Sequence, residues 1–232
     1  MIENNKVIGL ITARSGSKRV PNKNLRNFKG KSLIEWAGLA CHKSKLIDHS
    51  FISTDSDEYG KEVLKYGIDL ILRPKSISSD KSKSSDAVMH AYNKIILSQD
   101  VDYLVLLQPT SPLREKELID KGIHHLHSNQ DADQLIEFCN LRHFTFSVKG
   151  KFAYPDYPQD TRSQDLPIKL VPSGRLFIYN MKNLKDKNFD FDKALTIPMI
   201  GPDLEENINI DTEVDFRKME FIYNLNKKKY LD

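Results

Sequence analysis

Short runs of aliphatic residues alternate with amphipathic segments through the first 130 residues, and this alternation constrains the fold more than any other feature. Val7 to Ala13 and Asp102 to Leu107 are strongly apolar runs, and they predict buried strands. Segments with apolar residues every three or four positions lie between and after them, and these predict helices. Strands and helices alternating at such spacings imply right-handed βαβ crossovers. We therefore predict an α/β fold with a mostly parallel sheet.

The first 130 residues contain four predicted strands and four predicted helices. The strands are Val7 to Ala13, Phe51 to Thr54, Asp69 to Leu72 and Asp102 to Leu107. The helices are Ser32 to Ser44, Asp57 to Tyr66, Ser85 to about Leu97 and about Glu115 to His127. Ser32 and Ser85 suit N-cap positions, and Gly67 suits the left-handed position that follows a helix.

The pattern changes after residue 130. Strand-like runs follow without long helices between them, at Gln134 to Phe138, Phe144 to Val148, Leu176 to Tyr179 and Leu195 to Met199. They predict a mixed, partly antiparallel region, which is closed by a helix from Glu213 to about Asn226. Within this region, Tyr154 to Pro167 is rich in Pro, Tyr and Asp, which indicates an excursion from the sheet rather than a linker between domains.

Composition limits the class of protein. A chain of 232 residues with 39% hydrophobic residues can bury a substantial core, which excludes disordered and collagen-like chains. Cys41 and Cys139 are far apart and lack metal-ligand spacing, so we expect neither a disulfide framework nor a zinc module. The apolar run near the N-terminus is far shorter than the ~20 residues of a membrane span. We expect one cytoplasmic domain over residues 1–232, without a membrane partner.

The charged residues are unevenly distributed, although the net charge is only +3. Seven of the 35 lysines and arginines lie between Arg14 and Lys31, a stretch without an acidic residue, which leaves 28 against 32 acidic residues elsewhere. Four of the seven belong to the basic loop, Thr12 to Asn24, which follows the first predicted strand. Loops at this position bind ligands in open α/β sheets. The cations, and Gly16 for close backbone approach, predict a polyphosphate ligand, with a solvated loop as the alternative.

Other anionic partners fit the basic loop less well. The loop lacks the Gly-Lys-Ser/Thr ending of a Walker A motif and the further glycines of a dinucleotide fingerprint. Proteins that bind nucleic acid spread their cations over a face, whereas the rest of this chain is net acidic. We therefore expect no nucleic acid partner. The sequence also lacks a nucleophile elbow, so covalent hydrolase chemistry is not predicted.

Three further segments are predicted to lie at the same sheet edge as the basic loop. In the Gln108 segment, Leu106 to Arg114, a buried strand stops at the polar residue Gln108. Two prolines, Pro109 and Pro112, follow it within the same segment. Gln108 alone would also suit a capping amide. Arg73 and the helix start at Ser84 supply a cation and hydroxyl groups at comparable strand ends, where they would reach a base, ribose or phosphate.

The Asp211 segment, Asn207 to Glu213, alternates polar side chains on one face of an extended stretch just before the last predicted helix. Asn209 and Asp211 would both offer oxygen to a hard cation such as Mg²⁺, which uses one or two carboxylates together with substrate phosphates. The alternative is helix capping by Asp211 or Thr212.

In this order, the segments resemble the acylneuraminate cytidylyltransferase family, which comprises CMP-sialic acid synthetases and relatives acting on other nine-carbon acidic sugars. The ordered set spans almost the whole chain, and the Gln108 segment is its most specific member. The matching pieces are Ala13 to Lys18, Pro21 to Asn24, Ser53 to Asp55, Arg73 with Pro74, Ser84 to Val88, Leu106 to Arg114, Gln164 to Pro167 and Ile210 to Thr212.

The resemblance implies a Rossmann-like nucleotidyltransferase fold and a Mg²⁺-dependent reaction. The anomeric hydroxyl of an acidic nine-carbon sugar would attack the α-phosphate of CTP and release pyrophosphate. A homodimer is also implied, in which an excursion at residues 140–172 forms the dimer contact and contributes to the partner's sugar site.

The resemblance also implies roles for single residues. Contacts with CTP are expected from Arg14, Ser17, Lys18, Lys23, Asn24, Arg73 and Ser84. Of these, Arg14 and Lys23 are the expected catalytic residues, because fixed cations stabilise charge that develops on the triphosphate. Gln108 would face the sugar, and Asp211 with Asn209 would bind the metal.

The sequence departs from the family pattern mainly on the sugar side. The metal segment usually reads Asp-Ile-Asp, where this chain has Asn209 at the first position. Arg162 stands one place before the usual arginine, and a strand that usually reads Asn-Gly-Ala-Ile-Tyr here contains Arg175 and Phe177. We expect Arg162, Arg175 and Phe177 to contact the sugar. The departures predict a sugar other than N-acetylneuraminate, such as a legionaminate- or pseudaminate-like diamino sugar.

Two alternative functions remain open. Asn209 raises the hypothesis of a binding or regulatory protein that keeps the fold but has lost turnover. The related CMP-Kdo synthetases act on an eight-carbon acid, but their usual Gln-Gly-Asp motif is replaced here by Gln108, Pro109 and Thr110.

Overall fold

The structure, a computed structural model, describes residue 2, residues 5–203 and residues 209–230. The strands are β1 (Val7–Thr12), β2 (Asn27–Phe28), β3 (Lys31–Ser32), β4 (His49–Thr54), β5 (Ile68–Leu72), β6 (Tyr103–Leu107), β7 (Gln134–Leu141), β8 (Phe146–Lys149), β9 (Phe152–Pro155), β10 (Lys169–Asn180) and β11 (Thr196–Asp203). The helices are α1 (Leu33–Lys43), α2 (Asp57–Val63), α3 (Ser84–Ile95), α4 (Leu118–His127), α5 (Met181–Asp186) and α6 (Glu213–Leu225).

A seven-stranded sheet with the order β11-β7-β10-β6-β1-β4-β5 forms the body of the described part. β1 pairs in parallel with β4 and β6, β4 with β5, and β7 with β11. Within the described strands of this sheet, only β10 is antiparallel to its neighbours, β6 and β7. The predicted α/β fold with a mostly parallel sheet is therefore confirmed.

The strand alternation divides the core between the two faces of the sheet. In β1, Val7 and Ile11 pack into one cluster, whereas Ile8 and Leu10 pack into the other. The first cluster also contains residues of α1, α2, α4 and α6, and the second contains residues of α3 and α5. Both faces of the central strands are thus covered by helices, which explains why these strands are apolar throughout.

Most predicted helix ends agree with the structure, and two differ. Ser32 caps α1 in a reciprocal arrangement with Glu35, and Gly67 has φ 71° after the turn that follows α2. α3 begins at Ser84 rather than after Ser85, with Lys83 at the N-cap. α4 begins only at Leu118, because Glu117 has a left-handed backbone with φ 65°.

The region after residue 130 is mixed, as predicted. β10 is longer than expected and contains a register shift between Pro172 and Phe177. β8 and β9 form a separate hairpin within the expected excursion, and the helix α5 was not predicted. The hairpin exposes large apolar side chains, namely Phe146, Val148, Phe152 and Tyr154.

The helices and the two cysteines can be compared with the expectations from composition. In the ranges that the structure describes, no helix combines the length and the apolar character needed to cross a membrane. Cys41 and Cys139 are buried and form no disulfide.

The strand order places a topological switch point between β1 and β6. From β1 the chain continues to β4 and β5 on one side, and then returns to β6 on the other side of β1. The loops that leave the carboxyl ends of β1 and β6 therefore diverge and leave a crevice. In open α/β sheets such crevices bind ligands.

Candidate active site

An open cleft of about 230 Å³ lies at this switch point. Among its lining residues are four cations, Arg14, Lys23, Arg73 and Lys83, and one carboxylate, Asp80. Ser17, Asn24, Ser84 and Gln108 also line the cleft. The structure thus brings six of the seven expected CTP-binding residues together with Gln108, although they come from three separate segments: the basic loop, the connection from β5 to α3, and the end of β6. Lys18, the seventh, is mostly exposed and is not among the lining residues.

The basic loop is held at both ends by hydrogen bonds. Asp55, just after β4, accepts from the Ser15 backbone N–H at 2.7 Å and from the Ser15 hydroxyl at 2.8 Å. Asn24 donates from Nδ2 to the Arg14 carbonyl at 3.2 Å. Burial alone would raise the pKa of Asp55, but the two Ser15 hydrogen bonds, a backbone hydrogen bond and the charge of Arg73 together lower that pKa. The Ser53 to Asp55 motif, to which the sequence assigned no role, therefore fixes the start of the loop.

Arg73 is a buried cation whose side chain forms no ion pair with a carboxylate among the described residues. It is 7% exposed, and its backbone N–H bonds the Thr54 carbonyl at 2.7 Å. Among the described residues its Nε has no hydrogen-bond partner, and no carboxylate forms an ion pair with its side chain. Burial lowers the pKa of Arg73, and the nearby charge of Asp55 only partly offsets this effect. A buried cation in this state needs an anion, and the cleft is where one would enter.

Asp80 pairs with two cations of the basic loop. Its carboxylate lies 2.5 Å from Arg14 Nη2 and 2.5 Å from Lys18 Nζ. The hydrogen bond from Lys18 and the charges of both cations hold the pKa of Asp80 below its usual range. Sequence reasoning missed Asp80, because nothing in a run of exposed Ser and Lys residues indicates which distant cations it will meet. The carboxylate now contacts cations that are expected to meet phosphate.

Asp211 pairs with the other two cations of the basic loop. Its Oδ1 lies 3.1 Å from Lys23 Nζ and 3.1 Å from Arg19 Nη2. Lys23 also donates to the Ile210 carbonyl at 2.7 Å, which ties the Asp211 segment to the cleft. Thr212, rather than Asp211, caps α6 in a reciprocal arrangement with Asp215. The capping alternative therefore holds for Thr212, whereas the Asp211 carboxylate is directed to the basic loop.

The donors near Asp211 suit only a metal bound largely through a substrate. Within the described residues no three Asp, Glu, His or Cys side chains cluster as metal ligands. Asp211 supplies one carboxylate, whose Oδ1 is engaged by Lys23 and Arg19, and Asn209 supplies an amide two residues earlier. Mg²⁺ commonly uses one or two protein carboxylates, several waters and substrate phosphates, so this donor set fits it. The beginning of the Asp211 segment, residues 207 and 208, lies outside the described residues.

Gln108 lies between the β6 end and the bulged part of β10. A Cβ at Gly174 would come within 3.3 Å of Gln108 Oε1 and 2.6 Å of Ser111 Oγ, and within 3.7 Å of Asn209 Nδ2. Gly174 has φ 75°, a backbone conformation that favours glycine. The close approach and the backbone both require glycine here, and together they leave the Gln108 side chain at the cleft.

Arg175 is not available to a substrate, contrary to the sequence-based expectation. Its side chain is 3% exposed, and its guanidinium forms a bidentate ion pair with Glu137 on β7, with Nε at 2.8 Å from Oε2. Nη1 donates to the Leu113 carbonyl at 3.1 Å. Burial disfavours the charge, but the bonds and charge of Glu137 prevail and raise the pKa of Arg175. Arg175 is therefore a structural residue beneath the Gly174 bulge, which corrects its expected sugar contact.

Two other expected sugar contacts also lie outside the cleft lining. Phe177 is half-buried on β10, where it is paired with Leu106 and packs against the core cluster that includes α3. Arg162 is exposed in the excursion and pairs with Asp165 at 2.6 Å. Within this one chain, Gln108 is the expected sugar-binding residue that lines the cleft.

Comparison with known proteins finds a family model that covers most of the segments forming this cleft. A family model described as cytidylyltransferase matches residues 8–154, which is more than half of the chain and includes the basic loop, Arg73, Ser84 and Gln108. The chain belongs to the cytidylyltransferase family. The Asp211 segment, Arg162, Arg175 and Phe177 lie beyond the matched range.

Named relatives of this cytidylyltransferase family member act on acidic sugars. An N-acylneuraminate cytidylyltransferase of Streptococcus agalactiae serotype III is 33% identical over 223 residues, which cover 91% of this chain and 52% of that protein. The chain thus spans about half the length of this relative. A CMP-N,N'-diacetyllegionaminic acid synthase of Legionella pneumophila is 28% identical, with 96% of this chain and 98% of that protein covered.

A solved structure supports the fold of this family member. The CMP:2-keto-3-deoxy-manno-octonic acid synthetase complexed with CTP superposes with a TM-score of 0.69 at 15% identity, covering 96% of this chain and 100% of the other. At this level of identity the likeness concerns the fold alone. The expected Rossmann-like nucleotidyltransferase fold is confirmed.

Proposed function

We propose that this chain transfers CMP from CTP to the anomeric hydroxyl of an acidic, sialic-acid-like nonulosonic sugar. The observation that carries the proposal is Arg73, a buried cation that lacks a carboxylate partner among the described residues and faces a cleft with three more cations. A nucleoside triphosphate supplies the several negative charges that such a cleft needs. The relatives that match this chain carry names of CMP-sugar synthesis.

Different residues of the cleft would bind the two substrates, CTP and the sugar. Arg14, Lys23 and Arg73 would hold the triphosphate, with Lys18 joining from the rim once Asp80 is displaced. α3 begins at the cleft with Ser84, and the N-terminus of a helix favours a negative group. Gln108 lies at the end of β6 and would offer its amide to the sugar.

The proposed reaction exchanges one bond at the α-phosphate for another. The anomeric oxygen of the sugar forms a bond to the α-phosphorus, and the bond from that phosphorus to the bridging oxygen of the β-phosphate breaks. The products are the CMP-sugar, pyrophosphate and the proton of the hydroxyl. Negative charge grows on the departing pyrophosphate, and once CTP is bound the cations Arg14 and Lys23 would stabilise it without further reorganisation.

A Mg²⁺ ion belongs to the same proposal. Asp211 would hold it with one carboxylate oxygen, and Asn209 would add a neutral oxygen in place of the family's usual carboxylate. When bound, the ion would neutralise phosphate charge. In its absence Lys23 and Arg19 hold the same carboxylate, so the protein keeps Asp211 beside the cleft.

The proposal also includes the identity of the sugar, a homodimer and a cytoplasmic location. A legionaminate- or pseudaminate-like sugar remains our proposal, but Arg175 no longer supports it because Glu137 engages that side chain. The exposed apolar side chains of the β8–β9 hairpin are the surface that a second copy would cover. A dimer formed there would bring Arg162 of the excursion to the partner's sugar.

The test is release of pyrophosphate when the purified chain is mixed with CTP, Mg²⁺ and one acidic sugar at a time. The panel comprises N-acetylneuraminate, a legionaminate, a pseudaminate and Kdo, and reactions with UTP or ATP serve as nucleotide controls. We expect CTP-dependent release with a nine-carbon sugar, and its loss in Arg73→Met. Release with Kdo alone would favour the eight-carbon alternative.

A second candidate is a protein that binds CTP without turning it over, and Asn209 is the observation that favours it. Calorimetric binding of CTP without pyrophosphate release from any sugar of the panel would support this candidate. In that case Asn209→Asp is the informative variant, because it restores the carboxylate of the family pattern. Turnover that appears in Asn209→Asp would show that metal binding had been the missing function.

A further inference from the structure

Arg114, the last residue of the Gln108 segment, is a buried cation that the proposed reaction does not use. It is 1% exposed, and its guanidinium donates two hydrogen bonds to backbone carbonyls. Nη2 bonds the carbonyl of Gln108 at 2.8 Å, and Nε bonds the carbonyl of Arg175 at 2.8 Å. Nη1 has no hydrogen-bond partner among the described residues. One side chain thus joins the end of β6 to the bulged part of β10.

The Gln108 carbonyl is fixed from two directions. It accepts from Arg114 Nη2 and also from the Ser111 backbone N–H at 3.2 Å, which closes the turn after β6. Pro109 and Pro112 restrict φ within the same turn. The backbone from which the Gln108 side chain projects is therefore held by a charged donor as well as by the turn.

The opposite strand is held in a reciprocal way. Arg175 donates to the carbonyl of Leu113, while Arg114 donates to the carbonyl of Arg175. Glu137 holds Arg175 in a buried ion pair and accepts from the Ser173 hydroxyl at 2.5 Å. Each arginine therefore bonds the backbone of the other segment, and the Gly174 bulge that faces Gln108 lies between these contacts.

We infer that Arg114 is a positioning residue, whose two hydrogen bonds hold the Gln108 amide where the acidic sugar binds. This inference rests on the proposed function, and it adds a residue that acts through Gln108 and touches neither substrate. Lysine cannot replace the fork of Arg114, because two donors at a fixed spacing are needed to reach two carbonyls at once. Burial lowers the pKa of Arg114 to about 10, so the fork is charged at neutral pH.

The test is a double-mutant cycle with Arg114→Lys, Gln108→Ala and the double variant. Pyrophosphate release gives KM for the sugar and kcat, and calorimetry gives the Kd of CTP. We expect Arg114→Lys to raise KM for the sugar ~10-fold or more, because small displacements of a positioned group are costly, and to leave the Kd of CTP within about twofold. In the Gln108→Ala background, Arg114→Lys should have almost no further effect on KM. Arg217→Lys, an exposed change on α6, is the matched control.

A purely structural role would weaken CTP binding and sugar binding together, and additive effects in the cycle would place the action of Arg114 elsewhere; either result overturns the inference. If Arg114→Lys does not fold, Arg114→Met is measured in the same cycle, since it has similar length and no buried charge. A wild-type chain without turnover would overturn the proposed function first, and this inference with it.

Discussion

The ammonium group of Lys23 lies 3.1 Å from the carboxylate of Asp211, although 188 residues separate them in the chain. Lys23 lines the cleft, and Asp211 immediately precedes the cap of α6. The contact places the expected metal ligand beside an expected triphosphate contact. It also means that Lys23 and a metal ion would compete for the Asp211 carboxylate, because each cation that leaves Asp211 makes the carboxylate more available to a metal.

Asp211→Ala should impair turnover through the metal rather than through CTP alone. We expect the Mg²⁺ concentration for half-maximal pyrophosphate release to rise ~10-fold or more, because the one carboxylate proposed to hold the metal is lost. Asn209→Asp should shift the same concentration in the opposite direction, since it adds a charged ligand. A magnesium titration of both variants against wild type checks the pair. Equal magnesium dependence in all three proteins would remove Asp211 and Asn209 as ligands.

Asp80→Asn should tighten CTP binding. The Asp80 carboxylate forms ion pairs with Arg14 and Lys18, so the triphosphate has to displace it. A neutral amide at position 80 would compete less for both cations. We expect the Kd of CTP to fall about threefold to tenfold by calorimetry. Asp131→Asn, an exposed change elsewhere, is the matched control. Weaker binding in Asp80→Asn would show instead that Asp80 helps to hold the nucleotide.

Gly174→Ala should destabilise the protein and reduce use of the sugar. The new Cβ would meet Ser111 Oγ at 2.6 Å and Gln108 Oε1 at 3.3 Å. Gly150→Ala is the matched control, because Gly150 also has positive φ, at 61°, but has no heavy atom near the added Cβ. We expect the control to cost about 1 kcal/mol in urea unfolding and Gly174→Ala about 1–3 kcal/mol more, from backbone strain and overpacking respectively. Equal losses in the two variants would contradict the close approach.

Breaking the buried pair between Glu137 and Arg175 should be more harmful than replacing it. Glu137→Leu leaves a buried guanidinium without its carboxylate, and we expect a loss of about 3–5 kcal/mol in stability. In Glu137→Leu with Arg175→Met, an apolar pair replaces both charges, and most of the loss should be recovered. Urea unfolding of the three proteins measures this. A single variant as stable as wild type would argue against the ion pair.

The Asp55 carboxylate should make stability depend on pH in the acid range. Its pKa is lowered in the folded chain from its ordinary value of 3.8, so the unfolded chain binds more protons in that window and stability rises with pH. The contribution is complete well above 3.8 and is lost as the pH falls through the folded value. In Asp55→Asn we expect a loss of about 1 kcal/mol at neutral pH, after allowance for solvent screening. Unfolding curves at several pH values should show the difference from wild type shrinking in acid.

The fold was predictable because its evidence is local. Apolar residues on both faces of β1 and β6 mark buried parallel strands, and Ser32 and Gly67 mark helix ends by their own chemistry. The place of the basic loop followed from its position after the first predicted strand, since loops at the carboxyl ends of parallel strands bind ligands in open α/β sheets. These inferences need only neighbours along the chain.

The rest of the site depends on contacts between distant segments, which the sequence does not specify. Arg175 was expected at the substrate because a cation in a sugar-side strand has that chemistry, but Glu137, 38 residues earlier, neutralises it in the core. Asp80 was overlooked for the same reason. Whether a long cationic side chain is available to a ligand depends on which carboxylate it pairs with. The tertiary structure determines that partner.

The four cations of the basic loop are already paired with carboxylates of the same chain before a nucleotide binds. Two internal carboxylates, Asp80 and Asp211, take the place that dissolved ions occupy on an ordinary basic surface. When a protein binds nucleic acid, ions released into solution make affinity fall steeply as salt rises. An exchange of partners inside the molecule releases few such ions. The cleft should therefore hold a nucleotide with similar strength over a wide range of ionic strength.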